Sequence, residues 1–179
     1  MSQKEPSRNG QKRMMNKMGY NKIRKMDISD GPGVRVSIFM QGCAFNCKNC
    51  FNPETHDFNG GKEFTDATID RILELSDNDN IEGLSILGGE PMHPRNIENT
   101  TKLAKAFKTK YPNKSVWAWS GFKFDKDLKD KEVTKYLDVL VDGQYMDELH
   151  SPKLKWKGSS NQRVIDVQES LKENKVVLI

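Results

Sequence analysis

The chain has 179 residues, with 29 Lys and Arg against 25 Asp and Glu and a formal net charge of +4. Its longest apolar runs are about four residues, which excludes a membrane-spanning helix, and its opening MSQKEPSRNGQKRMM lacks the apolar stretch of a secretory signal. The positive excess does not point to nucleic acid, because residues 1–26 hold eight Lys and Arg against the single acid Glu5 and leave the rest slightly acidic, at about −3.

The expectation is a cytoplasmic protein with neither membrane nor nucleic acid as partner. Residues 1–17 read as a basic, disordered head and residues 18–179 as a single domain. In chain order, VRVSIFM (Val34–Met40) is β-branched and aromatic and predicts a strand. FTDATIDRILELSDN predicts a helix capped by Thr65 or Asp66, with Ile69, Ile72 and Leu73 on one face. IEGLSIL (Ile81–Leu87) predicts the second strand, and PRNIENTTKLAKAFKTKYP a helix with Pro94 in its first turn and Ile97, Leu103, Ala104 and Phe107 at helical spacing. SVWAW (Ser115–Trp119) is a third strand, Lys126–Leu137 a weaker helix, and DVLV (Asp138–Val141) a fourth strand. RVIDV, a short helix QESLKEN and a final strand KVVLI close the chain.

Strands separated by helical segments indicate βαβ units and a parallel sheet. A closed eightfold barrel needs about 250 residues. The fold expected here is therefore α/β: a partial, open β/α barrel with a mostly parallel sheet of five to six strands. GCAFNCKNC follows the first predicted strand, GGEP (Gly88–Pro91) the second, SGF (Ser120–Phe122) the third and DGQY (Asp142–Tyr145) the fourth. Ligands of parallel α/β folds collect at the carboxyl ends of the strands, so four such loops imply one composite site.

All three cysteines, Cys43, Cys47 and Cys50, fall within the first loop in a C-x3-C-x2-C spacing. Thiolates select zinc, Cu(I) or iron–sulfur clusters. One reading is a zinc site completed by His56, as a non-enzymatic interaction module; it matches no common zinc spacing. Three buried structural cysteines are a second, and a 4Fe–4S cluster held by three thiolates, with one iron left open, is a third. His93 and Trp119 border the loops and read as wall. The basic SPKLKWKGSSNQR reads as a solvated loop by default and as a docking surface otherwise.

C-x3-C-x2-C followed by an aromatic, here Phe51, resembles the signature of the radical S-adenosylmethionine enzymes. YNKIRKMDISDGPGVRVSIFMQGC, GGEPMHP, VWAWSGF, VLVDGQY and LKWKGSSNQRVIDV, in that order, are similar to the activating proteins of anaerobic (class III) ribonucleoside-triphosphate reductases. The resemblance implies one 4Fe–4S cluster on Cys43, Cys47 and Cys50, with S-adenosylmethionine on its open iron. It implies cofactor contacts from Asn49, Cys50 and Phe51 on the adenine side, from Gly88, Gly89 and Glu90 on the methionine side, and from Ser120. The implied reaction is reductive cleavage of S-adenosylmethionine to a 5′-deoxyadenosyl radical that takes hydrogen from a glycine Cα. No R-V-x-G-Y-like motif occurs in this chain, so that glycine would lie in the large reductase subunit, and the electron would come from a donor such as flavodoxin. A radical enzyme acting on another glycyl radical enzyme or a small molecule, as in deazapurine formation, remains an alternative at this point.

Overall fold

The structure, a computed structural model, describes residues 18–179, so the basic head expected over residues 1–17 lies outside the described residues. Seven strands form one sheet: β1 (Gly19–Asp27), β2 (Val34–Met40), β3 (Lys62–Glu63), β4 (Ile81–Gly88), β5 (Ser115–Ser120), β6 (Val139–Asp142) and β7 (Arg163–Asp166). Their order is β3-β1-β2-β4-β5-β6-β7. The central run β2-β4-β5-β6 is parallel, and β1, β3 and β7 join it antiparallel at the margins. The sheet is thus mixed and larger than the five or six mostly parallel strands expected. β1 escapes a pattern search because Tyr20–Met26 is half-exposed to exposed and carries three cations, so no apolar alternation marks it.

The three helices α1 (Asp66–Leu75), α2 (Ile97–Lys110) and α3 (Val167–Glu173) contribute to one apolar core. Alternate strand residues Val36, Ile38, Met40, Leu84, Ile86, Val116, Ala118 and Leu140 meet Ile69, Ile72, Leu103, Ala104 and Phe107 there. Burying such side chains contributes about 1.5–3 kcal/mol each before chain entropy is counted. α1 starts at Thr65, whose N–H donates to Thr68 Oγ1 at 3.1 Å. α2 begins later than expected: Pro94 sits in a preceding turn, where the Asn96 and Ile97 N–H groups both reach His93 O, at 2.7 and 2.9 Å.

The helix expected over Lys126–Leu137 is instead a π-helical turn (Phe124–Leu128) and a 3₁₀ turn (Glu132–Tyr136). Its buried apolar residues are Phe124, Leu128, Val133 and Leu137, and the five-residue step from 128 to 133 rotates the second pair off one helical face. Breaking the helix lets both pairs reach the core. The final strand is reduced to a bridge between Ile165 and Leu178 along β7.

Residues of the opposite parity, Arg35, Ser37 and Phe39 on β2, Ser85 and Leu87 on β4, and Trp117 on β5, are buried but stand outside that core. Arg35 has no exposed surface, and all three of its guanidinium nitrogens donate. Nε reaches Ser85 Oγ (2.8 Å), Nη1 reaches Pro32 O (3.3 Å) and Ser115 Oγ (3.0 Å), and Nη2 reaches the carbonyls of Leu84 and Ser115 (both 2.9 Å). Burial pulls this guanidinium down to about 10, yet a fully satisfied fork is what makes a buried cation tolerable.

Candidate active site

The loops after β2, β4, β5 and β6 meet at the carboxyl ends of the parallel strands and line one cavity of about 480 Å³. Cys43, Cys47 and Cys50 all face it. Their loop turns through Asn46 (φ 49°) and Asn49 (φ 53°), both left-handed, a conformation asparagine adopts far more readily than most residues. The Cys50 N–H closes back on Cys47 O at 3.2 Å. Burial pushes the Cys43 thiol up to about 11 and raises Cys50 as well.

The ends of this loop are tied down by main chain. Gly42 N donates to Thr55 O (2.7 Å) and Cys43 N to His56 O (3.1 Å). Gln41 Nε2 donates to the carbonyls of Glu54 (3.1 Å) and Asp57 (2.7 Å). Asn96 Nδ2, buried at the head of α2, bonds the carbonyls of Gln41 (3.0 Å), Gly42 (3.3 Å) and Glu90 (2.9 Å). Neither carboxamide stood out in the sequence, where each is one polar residue among many.

Gly88 ends β4 with φ +103°, and a Cβ there would lie 2.7 Å from Phe39 Cα. Only glycine fits that approach of main chain to main chain. The Gly89 and Glu90 N–H groups are engaged by Met40 O and Gly42 O, both at 2.9 Å, so GGEP binds the cysteine loop directly. Glu90, 2% exposed, turns its carboxyl toward β5. Oε1 accepts from Ser120 Oγ (2.7 Å) and Met92 N (2.9 Å), and Oε2 accepts from Gly121 N (2.7 Å). Burial lifts this carboxyl to about 7 against the pull of those three donors. Glu90 and Ser120 are therefore partners of each other as well as lining residues.

The far wall comes from residues 143–162, which include most of the basic stretch Ser151–Arg163 that reads by default as a solvated loop. Trp156, at φ +61°, packs edge-on against Trp117 (ring centroids 4.8 Å apart), and its carbonyl accepts from Trp119 Nε1 at 2.8 Å. Gln162 Oε1 accepts from the N–H groups of Gly158 (2.8 Å) and Ser159 (3.1 Å), while its Nε2 donates to Gly143 O at 2.9 Å. Phe51 is 62% exposed and sits at the rim against Tyr145 (5.0 Å) and His150 (5.5 Å). Asn49 Nδ2 donates to Asp147 Oδ2 at 2.8 Å, linking the cysteine loop to this wall. Trp119 lines the cavity as expected of a wall residue, whereas His93 stacks on Phe58 (4.5 Å) outside the lining. His56 lines the cavity, and its Nε2 is buried without a partner.

A 4Fe-4S single cluster domain matches residues 29–165. Over 147 residues the chain is 39% identical to the anaerobic ribonucleoside-triphosphate reductase-activating protein of Enterobacteria phage T4, covering 82% of this chain and 93% of that one. The chain belongs to this family of activating proteins. Its match to the Escherichia coli K12 member is 37% over 150 residues (82% and 97% of the two chains), and to the Vibrio cholerae member 36% over 148 residues (81% and 96%).

A family of 4Fe–4S activating proteins implies a cluster, and the residues fit one. Three thiols from a single loop line one wall of the cavity. Among the described residues no three His, Cys, Asp or Glu side chains gather tightly enough for a single metal ion. A cubane binds its thiolates on separate iron atoms and so asks for cysteines spread around a volume rather than a point.

Proposed function

We propose that this chain activates anaerobic ribonucleoside-triphosphate reductase by generating a glycyl radical on its large subunit, with S-adenosylmethionine bound at a 4Fe–4S cluster held by Cys43, Cys47 and Cys50. The observation that carries the reading is the meeting of those three thiols, Gly88–Glu90 and Ser120 in one cavity at the strand ends. The names of its relatives as reductase-activating proteins support the choice of partner. The chemistry supplied by cluster and cofactor is one-electron cleavage of the sulfonium to methionine and a 5′-deoxyadenosyl radical, which takes a hydrogen atom from a glycine Cα.

The work of the chain's own residues is to bind, orient and exclude water. Cys50 and Phe51 offer the rim against which adenine would rest, with Tyr145 and His150 backing Phe51, while Asn49, outside the lining, holds the rim through its bond to Asp147. Gly88, Gly89, Glu90 and Ser120 line the same cavity and would take the methionyl end, held rigid by the bonds from Ser120 and Gly121 to Glu90. The helices lie on one side of the sheet, and the buried polar and aromatic face of Arg35, Ser37, Phe39 and Trp117 supports a concave, partial-barrel interior. An open margin of that barrel would admit the partner's glycine loop. No helix among the described residues is long and apolar enough to cross a membrane. A cytoplasmic setting and a flavodoxin-like electron donor complete the proposal.

The test is to mix anaerobically reduced protein, S-adenosylmethionine and the reductase, and to record the electron paramagnetic resonance spectrum. A glycyl radical doublet is expected. Cofactor cleavage without the doublet would redirect the reading to another substrate, and a colourless protein with one zinc and no iron would end it. Replacing any one of Cys43, Cys47 or Cys50 by Ala is expected to abolish cleavage.

A further inference from the structure

Seven large apolar side chains are exposed among the described residues, and two of them, Leu178 and Ile179, stand at the last two positions of the sequence. The other five, Met26, Ile28, Phe51, Met146 and Leu149, are between 40% and 78% exposed. Phe51 lines the cavity itself. Each of the rest stands one or two positions from a lining residue, Met26 and Ile28 beside Arg24 and Ser29, Met146 and Leu149 beside Tyr145 and His150. A residue that both lines a cavity and meets solvent marks its mouth, and Arg24, Ser29, Phe51 and His150 do both. The apolar side chains therefore border the mouth on three separate segments.

The main chain beneath them is fixed. Asp27, 3% exposed, sits between Met26 and Ile28 and accepts from Ser29 N–H at 2.8 Å and from Arg24 Nη1 at 3.2 Å. Met146 N–H donates to Ser159 Oγ at 3.1 Å, Leu149 N–H to Met146 O at 3.0 Å, and Leu149 O accepts from Ser160 N–H at 2.9 Å. Scattered exposed apolar residues are ordinary, but a set gathered at one opening marks an interface, where methionine and aromatic residues are enriched. Met26, Ile28, Met146 and Leu149 are absent from the cavity lining, so a small molecule held inside would leave them in water. An occupant wider than the mouth covers them. The glycine that the proposed reaction attacks lies on another chain, and a chain delivering it must close over this opening.

We infer that Met26, Ile28, Met146 and Leu149, with Phe51 at the rim, form an apolar collar on which the large subunit of the anaerobic reductase docks as its glycine segment enters the cavity. This rests on the activating function proposed above and adds the surface that favours a protein over a small molecule as substrate.

The experiment uses the full chain with its cluster reconstituted anaerobically, and the large subunit as ligand. Wild type is compared with Met26→Ser plus Ile28→Ser, with Met146→Ser plus Leu149→Ser, and with Leu178→Ser plus Ile179→Ser, a control that removes comparable apolar surface elsewhere. Iron content and cleavage of S-adenosylmethionine without the large subunit are expected to be unchanged in all three. Kd for the large subunit, from anaerobic calorimetry, is expected to weaken about tenfold in each collar pair and to stay unchanged in the control. The glycyl radical doublet then falls at low large-subunit concentration and returns at saturation. Unchanged affinity in either collar pair, or an equal loss in the control, overturns the collar. So does a wild type that sediments alone as a dimer and becomes monomeric in the collar pairs, which would assign the surface to a second copy of this chain. If a collar pair loses its cluster, hydrogen–deuterium exchange of wild type decides. Slower exchange over residues 24–30 and 145–150 on adding the large subunit supports the docking, and unchanged exchange there overturns it. A wild type that holds its cluster yet neither binds the large subunit nor yields the doublet fails the activating function itself, and the collar with it.

Discussion

Replacing Glu90 with Gln separates two roles that the sequence left joined, contact with the cofactor and fastening of two loops. The carboxyl accepts three donors within 2.9 Å, two on Oε1 and one on Oε2. A glutamine whose oxygen replaces Oε1 keeps Ser120 and Met92 but turns its amide NH2 toward Gly121 N–H. One main-chain donor is then unmet and faces another donor, which costs about 1–3 kcal/mol. Removing a buried carboxyl that burial has already lifted to about 7 offsets part of this. A net loss of about 2 kcal/mol corresponds to about 4–8 °C in Tm for a chain of this size. The assay is anaerobic thermal unfolding of the variant beside wild type, with S-adenosylmethionine affinity measured on the same samples. The expected result is a lowered Tm. An unchanged Tm combined with weakened cofactor binding would refute the fastening role and return Glu90 to a direct contact.

Gly88→Ala places a methyl 2.7 Å from Phe39 Cα at φ +103°, so either β2 or the β4 end must move; a loss of roughly 3 kcal/mol or more is expected in denaturant unfolding. Asp30, lifted to about 7 by burial and then by neighbouring Asp27, with Arg24 and Lys22 pulling the other way, binds its proton more tightly folded than unfolded. Wild-type stability should therefore fall between about pH 4 and 7 by up to about 1.4 kcal/mol per pH unit from this group, and Asp30→Asn should flatten that slope; an identical slope in both proteins would discount the buried acid. Gln162→Leu leaves the Gly158 and Ser159 N–H groups unmet and should loosen the wall around Trp156, read as faster proteolysis after Lys153, Lys155 or Lys157 with little change in Tm.

The parallel centre of the sheet was legible because β2, β4 and β5 are dense in β-branched and aromatic residues, and the cysteine spacing marked the site without any contact information. What escaped was set by interactions distant in sequence. β1 is held by main-chain pairing with β2 and carries polar residues that coat Phe39, where Lys22 and Arg24 both stack 4.6 Å from the ring. The stretch Ser151–Arg163 looked solvated because it is basic, with Lys153, Lys155, Lys157 and Arg163 and no acid. Its order comes from a few side chains, Trp156 and Gln162 above all, whose partners lie on other segments.

A cluster-binding loop must hold its thiols in fixed directions and still leave a corner of the cluster open to a second ligand. A strand would send residue 50 to the face opposite 43 and 47, and a helix would set all three along one straight stripe about 10 Å long rather than around a cluster. Here the two demands are divided along the chain. Both ends are clamped by carboxamides and main chain, Gln41 to Glu54 and Asp57, and Asn96 to Gln41, Gly42 and Glu90. The middle, Ala44–Asn49, is exposed at four of its six residues, turns through two left-handed asparagines and packs Phe45 edge-on against Phe122, ring centroids 5.0 Å apart. Asn96 is the joint of this arrangement, because one NH2 group ties the cysteine loop to GGEP. Any movement of Glu90 or of the Ser120 turn bonded to it is thereby felt at the start of the thiol loop, which makes the Gly88–Glu90 side of the cavity and the cysteine loop mechanically one unit.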